Sequence, residues 1–253
     1  MFPTLTPTNP EEVMVTRELN GQTIITCIRM ASGSSAVFSP VALTDHVKGL
    51  ITALNAPIKY IIAPDLEHHI FLSDWKAAYP DAKVIGPHGL QEKREKNEKT
   101  KSTAQIDYVF TPKDRHSPQI SEEFNAEFDA VYVPSHPNRE IVVFHKPTKT
   151  LLEADLFFNL PATQQYEKEK GGANKGILTK LFMPVWTTRG DAIWQKRFIW
   201  YLIAGRSREE WKETLRIIDR WDFERVIPCH GDVIETGGKL VFRKVFGWFL
   251  TDS

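Results

Sequence analysis

Four segments of this chain carry metal-binding or proton-moving side chains directly after a short apolar run. The first, Pro64-Asp65-Leu66-Glu67-His68-His69, sets two imidazoles and two carboxylates behind the run Lys59 to Ala63. The others are His136 in Pro134-Ser135-His136-Pro137, Asp155 in Leu152-Glu153-Ala154-Asp155-Leu156, and His230 in Pro228-Cys229-His230-Gly231-Asp232. Neutral imidazole and carboxylate together hold zinc, iron or manganese, and an ion with an open position lowers the pKa of a bound water to about 7. Such a set supports hydrolysis of an ester, thioester, lactone or amide. Singly, each residue has a plainer reading: a turn histidine bonded to nearby backbone, or an aspartate capping a local N–H. Their joint placement after strands is what favours a shared site. The side chains of His68 and His69 diverge by about 100° if a helical turn has begun, so the two need not face one ion. Cys229 reads as an inert thiol at the end of an apolar strand rather than as a nucleophile.

Periodicity and turn signals outline the elements that must position these residues. Met14 to Leu19 and Thr23 to Met30 flank Asn20-Gly21, the pattern of a β-hairpin with a tight turn. Ala36 to Phe38 leads into Ser39-Pro40, which reads as a helix N-cap followed by the first helical residue. Val41, Val47, Leu50 and Leu54 continue at roughly helical spacing to a stop near Asn55. Lys59 to Ala63 reads as a buried strand closed by Pro64. A helix over His69 to Tyr79, with Phe71, Trp75 and Tyr79 as its packed stripe, precedes a strand over Lys83 to Ile85. Gln91 to Lys101, rich in charges of both signs, reads as a solvated helix and loop with no functional role. Phe128 to Val133, Glu140 to His145 and Thr150 to Leu152 read as strands, separated by turn signals at Pro137-Asn138 and Lys146-Pro147. The stretch 159–189 reads as a surface excursion or lid, with Phe157-Phe158 placed to floor a cleft at its start. Helices over Asp191 to Ala204 and Ser207 to Trp221, then a strand over Arg225 to Pro228, complete the pattern.

A chain of 253 residues with 42% apolar and 25% charged residues can bury its core as one domain, 1–253. Lys plus Arg and Asp plus Glu balance at 32 each, so no global field favours nucleic acid or an anionic membrane. The expected partner is a small-molecule substrate, and composition leaves the oligomeric state open. Cys27 and Cys229 are too far apart in sequence to suggest a thiolate metal knot, and a reducing compartment fits. Met1 to Glu12 lacks the basic-then-apolar order of a leader, and no stretch reaches the roughly 18 apolar residues of a membrane span, so a cytoplasmic location is expected.

The order of a strand with a His/Asp-rich helix start, then a strand-end His, a strand-end Asp and a last strand-end His before Gly resembles the metallo-β-lactamase superfamily. More narrowly, Asp65-Leu66-Glu67-His68-His69 with Trp75, Tyr79-Pro80-Asp81-Ala82, Thr150-Leu151 and Asp155-Leu156 is similar to the DUF4336 family. The resemblance implies a four-layer αββα sandwich. Laid over the superfamily motif His-x-His-x-Asp-His, this chain places Pro64, Leu66, His68 and His69 at the four ligand positions. The first of the two usual metal sites thereby loses two ligands, keeping only His136. The second keeps His68, His69, Asp155 and His230, with His in place of Asp. The implied cofactor is one divalent ion, zinc ahead of iron or manganese. His136 is then expected to contact substrate or ion, and Glu67 to orient an imidazole or move a proton. The implied activity is metal-dependent hydrolysis of a small substrate; the alternatives are a non-catalytic binding or scaffold protein and an iron-dependent oxygenase.

Overall fold

The computed structural model describes residues 13–17, 24–101, 104–115, 118–162 and 183–251. Among the described residues, ten strands form two mixed sheets. In the first, β1 (Val13–Arg17), β2 (Ile24–Arg29) and β3 (Ser35–Phe38) run antiparallel, and β4 (Ile58–Ile62), β5 (Lys83–Pro87) and β6 (Tyr108–Phe110) continue parallel to β3. The second has the order β10, β9, β8, β7, from β7 (Phe128–Val133), β8 (Glu140–His145), β9 (Thr150–Glu153) and β10 (Arg225–Pro228), with β10 parallel to β9 and the other pairs antiparallel. The expected N-terminal hairpin is present as the β1–β2 pair, although Asn20-Gly21 lies outside the described residues.

Strict alternation along these strands creates four layers. Ile24, Phe38, Tyr60 and Ile62 of the first sheet meet Ala130, Tyr132, Ile141, Leu152 and Ile227 of the second in a central core. The intervening residues Ile25, Val37 and Ile61 face helices α1 (Asp45–Leu54), α2 (Leu72–Ala78) and α3 (Leu90–Glu95). Val131, Val142 and Val226 face the opposite helical layer. That layer is built from α5 (Ile193–Arg197), α6 (Arg208–Arg220) and α7 (Gly238–Leu250), while the short α4 (Glu122–Glu127) precedes β7. Each fully buried Ile, Leu or Phe contributes about 1.5–3 kcal/mol, so the three cores carry the fold. Trp75, fully buried, donates its indole N–H to Val41 O at 2.6 Å, which makes the Phe71-Trp75-Tyr79 stripe structural.

Several element boundaries depart from the sequence pattern for local reasons. The first helix starts at Asp45, not at Pro40: Thr44 supplies the cap, its hydroxyl accepting from Val47 N–H, while Ser39 takes a left-handed φ of 58° and its N–H bonds Ile62 O. The helix expected from His69 starts at Leu72, because Asp65 folds the preceding residues into turns. The helix expected over Asp191 to Ala204 begins at Ile193 and opens into a π-helix, Phe198–Ile203, whose last turn is closed by Ala204 N–H to Ile199 O. Of the excursion expected at 159–189, residues 163–182 lie outside the described residues. Among the described residues no helix is long and apolar enough to cross a membrane.

His145, fully buried on β8, gives the fold a pH dependence. Its Nδ1 lies 2.7 Å from Thr148 Oγ1 and its Nε2 3.5 Å from a Glu127 carboxylate oxygen, yet burial prevails and pushes its pKa down to about 4. An unfolded chain binds that proton near the ordinary value of about 6.5, so between these limits the unfolded state holds more protons. This stability is complete above about pH 6.5 and is expected to fall as pH drops toward 4, by up to about 1.4 kcal/mol per pH unit. Urea unfolding from pH 7 to 4 should show a shallower loss for His145→Gln than for the parent.

Candidate metal centre

The carboxyl ends of β4, β9 and β10 meet at one rim of the sandwich, and Asp65 organises the first of them. Its Oδ1 accepts the N–H groups of Glu67 and His68, each at 2.7 Å, and its Oδ2 lies 2.8 Å from His68 Nδ1. An ionised carboxylate can only accept, so in the neutral ring the His68 proton sits on Nδ1 and Nε2 keeps its lone pair. Burial opposes a charge on His68, but the hydrogen bond and charge of Asp65 outweigh it and raise its pKa. Burial likewise opposes the Asp65 charge, and the bonds from His68 and the turn hold its pKa below the usual carboxylate value.

Asn138 joins this turn to the rest of the rim. Its carbonyl accepts Leu66 N–H at 2.9 Å, its N–H donates to His136 Nδ1 at 3.2 Å, and its side-chain amide donates to Asp155 Oδ2 at 2.7 Å. Asp155 is pinned a second time through its backbone, since Ala154 and Asp155 N–H donate to the Glu140 carboxylate at 2.7 and 3.1 Å. His230 follows β10 and is presented by Gly231, whose φ is +108°. A Cβ at Gly231 would stand 2.6 Å from Asn159 O, so only glycine lets this turn dock on Asn159. The Phe158 ring lies 6.2 Å from His230, while Phe157 is core.

Three of the expected ligands converge. His68 Nε2 lies 3.1 Å from His230 Nε2, which lies 3.5 Å from Asp155 Oδ1, and the three donor atoms all fall within 4.8 Å of one another. Two ligands bound to one ion at about 2.0–2.1 Å and a tetrahedral angle stand roughly 3.3 Å apart, so the spacing and the donor types fit a shared ion. The surroundings also favour a cation. Asp65, Glu140 and Glu153 are fully buried beside this triad. Burial, reinforced by neighbouring carboxylates including Asp155, pushes Glu140 and Glu153 well above the usual glutamate pKa. Glu153 Oε1 has no hydrogen-bond partner among the described residues.

The other candidates are not members of this donor triad, although the His136 ring lies against the backbone of Asp155. His69 is buried with Nδ1 3.3 Å from an Arg94 guanidinium nitrogen, and that nitrogen also donates to His69 O at 2.6 Å. Burial, then Arg94 and Lys93, push the His69 pKa down to about 4. Glu67 is exposed and bonded to Lys93 Nζ at 2.6 Å. His136 is buried, its ring 5.8 Å from Trp211 and its Nε2 4.0 Å from Glu140 Oε2, and burial lowers its pKa. The segment read as solvated and without a role therefore supplies Arg94, fully buried, and Lys93, which also donates to Leu66 O. Cys229 is buried, and burial raises its thiol pKa well above the usual value, in keeping with an inert thiol.

The two mixed sheets with helices on both outer faces are the metallo-β-lactamase fold. Residues 19–167 match the family described as a domain of unknown function, DUF4336, and the chain belongs to that family. No curated protein matches the sequence. Among solved structures, the flavodiiron protein from Giardia intestinalis is similar over 96% of this chain and 59% of its own, with 15% identity and a TM-score of 0.58. A metallo-β-lactamase from Pontibacter korlensis is similar over 95% of this chain and 96% of its own, with 11% identity and a TM-score of 0.54. A flavoprotein from Thermotoga maritima is similar over 95% of this chain and 53% of its own, at 15% identity and a TM-score of 0.54. The chain thus spans a little over half of the flavodiiron and flavoprotein chains it resembles.

Proposed function

We propose that this protein is a metal-dependent hydrolase of a small ester, thioester, lactone or amide, holding one divalent ion through His68 Nε2, Asp155 and His230. The observation that carries the reading is the spacing of the three donor atoms, which fits a shared ion held by three protein ligands. A divalent ion such as zinc held by His68, Asp155 and His230 would supply an activated water near neutral pH and Lewis acidity toward a substrate carbonyl. The chain's own residues set the conditions for that chemistry. Asp65 fixes the His68 proton on Nδ1 and turns Nε2 toward the rim. Asn138 engages Asp155 Oδ2 and leaves Oδ1 facing His230. His230, about a third exposed, marks the solvent side from which substrate arrives. Glu67 is an exposed rim carboxylate paired with Lys93, and His136 supports the Asp155 strand end from the buried side through Asn138. His69, expected from the superfamily motif as a fourth ligand, serves here with Arg94 to pack the turn.

Two histidines and one carboxylate with open positions are also the donor set of iron(II) oxygenases, which sustains iron-dependent chemistry as the second reading. Metal analysis of protein purified without chelator separates the two. One equivalent of zinc, with chelator-sensitive turnover of esters, thioesters, lactones or amides, is the expected result. One equivalent of iron with oxygen uptake would establish the second reading. A tightly held ion without turnover in any class would make the site structural and refute both.

A further inference from the structure

The balanced charge of the whole chain conceals a cationic, aromatic surface on the outer helical layer. Between Ile193 and Arg208 the sequence carries four cations, Lys196, Arg197, Arg206 and Arg208, and no acid. The same segment exposes Trp194, Tyr201 and Leu202, at 53%, 62% and 73% of their full surface. Aromatic and cationic groups interleave along it: the Arg197 guanidinium lies 5.1 Å from the Trp194 ring, and that of Arg208 lies 5.0 Å from Trp200 and 5.9 Å from Tyr201. Trp200 continues the surface onto α7, its ring 6.0 Å from Trp248. Tyr201 and Leu202 lie in the π-helix and are exposed together, while Ile199 of the same element remains in the core.

We infer that this face docks on an anionic lipid surface. Tyrosine and tryptophan rings favour the headgroup level of a bilayer, arginines pair with anionic headgroups, and an exposed leucine reaches the acyl boundary. Charge decides among occupants. A second copy meeting this face across a two-fold axis would bring two faces of four cations each together, a like-charge arrangement that disfavours association. Single-stranded nucleic acid needs open ring faces for base stacking, and here arginines lie over Trp194, Trp200 and Tyr201. None of the described helices of this layer is long and apolar enough to cross a membrane, so the inferred contact is peripheral.

Sedimentation of the full chain with lipid vesicles tests the inference. Binding to phosphatidylcholine vesicles containing about one third phosphatidylglycerol should exceed binding to pure phosphatidylcholine by at least about tenfold, and should fall as salt is raised. Leu202→Glu and Arg197→Glu should each weaken binding at least about fivefold. Both positions lie on the surface, and circular dichroism would check that both variants keep the parent's fold. Absence of binding to anionic vesicles would overturn the inference, as would binding unaffected by either variant. A concentration-dependent dimer broken by Leu202→Glu would assign the face to a second copy instead.

Discussion

Asp155→Ala should empty the metal centre, whereas His136→Ala should leave it loaded and weaken the fold. Asp155 supplies the one carboxylate of the convergent triad, so its loss leaves a divalent ion facing two neutral imidazoles. The expected fall in affinity exceeds the roughly 10–100-fold typical of losing an outer hydrogen-bond partner. Without metal the same substitution should cost less stability than His136→Ala, because the orphaned Asn138 amide is offset in part by relief of the Asp155 charge acting on the buried Glu140 and Glu153 carboxyls. His136 presents the opposite balance. It is buried against Trp211 and accepts the Asn138 N–H, so truncation opens a cavity and orphans a donor, at a cost of about 2–4 kcal/mol. Zinc titration of both variants and urea unfolding in chelator separate the two effects. An empty His136→Ala protein beside a fully loaded Asp155→Ala protein would move the ion away from the His68, Asp155 and His230 triad.

The strand ends of this fold were legible in the sequence because local chemistry dictates them. Pro64 stops β4, Pro137-Asn138 separates β7 from β8, and Gly231 makes the turn after β10, so His136, Asp155 and His230 could be placed just beyond strands. The alternation that divides the three cores is also a local pattern. The direction of an individual imidazole is not. His68 faces the rim because Asp65 closes the turn upon it, while His69 turns to Arg94, a residue 25 positions later on α3. Nothing near His69 announces that contact. Glu140 presents the same difficulty, since its role depends on the register that sets the start of β8 beside the end of β9. Asn138 carried a signal, but as a turn residue only; its link to Asp155 spans 17 positions. The π-helix escaped for a different reason, as Phe198 to Ile203 is apolar all round and so hides a change from one turn width to another.

Asp65→Asn should abolish tight metal binding with the backbone of the site intact, because it inverts the His68 tautomer. Two backbone N–H groups at 2.7 Å hold Oδ1, so an asparagine keeps its carbonyl oxygen there and turns its amide NH2 toward His68 Nδ1. A donor facing Nδ1 requires the ring to accept at that atom, and the imidazole proton moves to Nε2. The lone pair aimed at the shared-ion position is then lost, although side-chain volume and turn hydrogen bonds are nearly unchanged. Outer-shell partners of metal-bound histidines are typically worth about 10–100-fold in affinity, and an inverted tautomer belongs at or beyond the upper end of that range. Asp65→Ala serves as the contrast: it removes the acceptor without adding a donor, leaving His68 free to protonate at either nitrogen, so it should bind zinc more tightly than Asp65→Asn despite the greater damage to the turn. Nitrogen-15 NMR of the imidazoles in the metal-free proteins reads the tautomer directly, and zinc titration reads the affinity. Equal zinc affinity of Asp65→Asn and the parent would show that the Asp65 carboxylate does not set the protonation of His68, and would remove His68 Nε2 from the assigned ligand set.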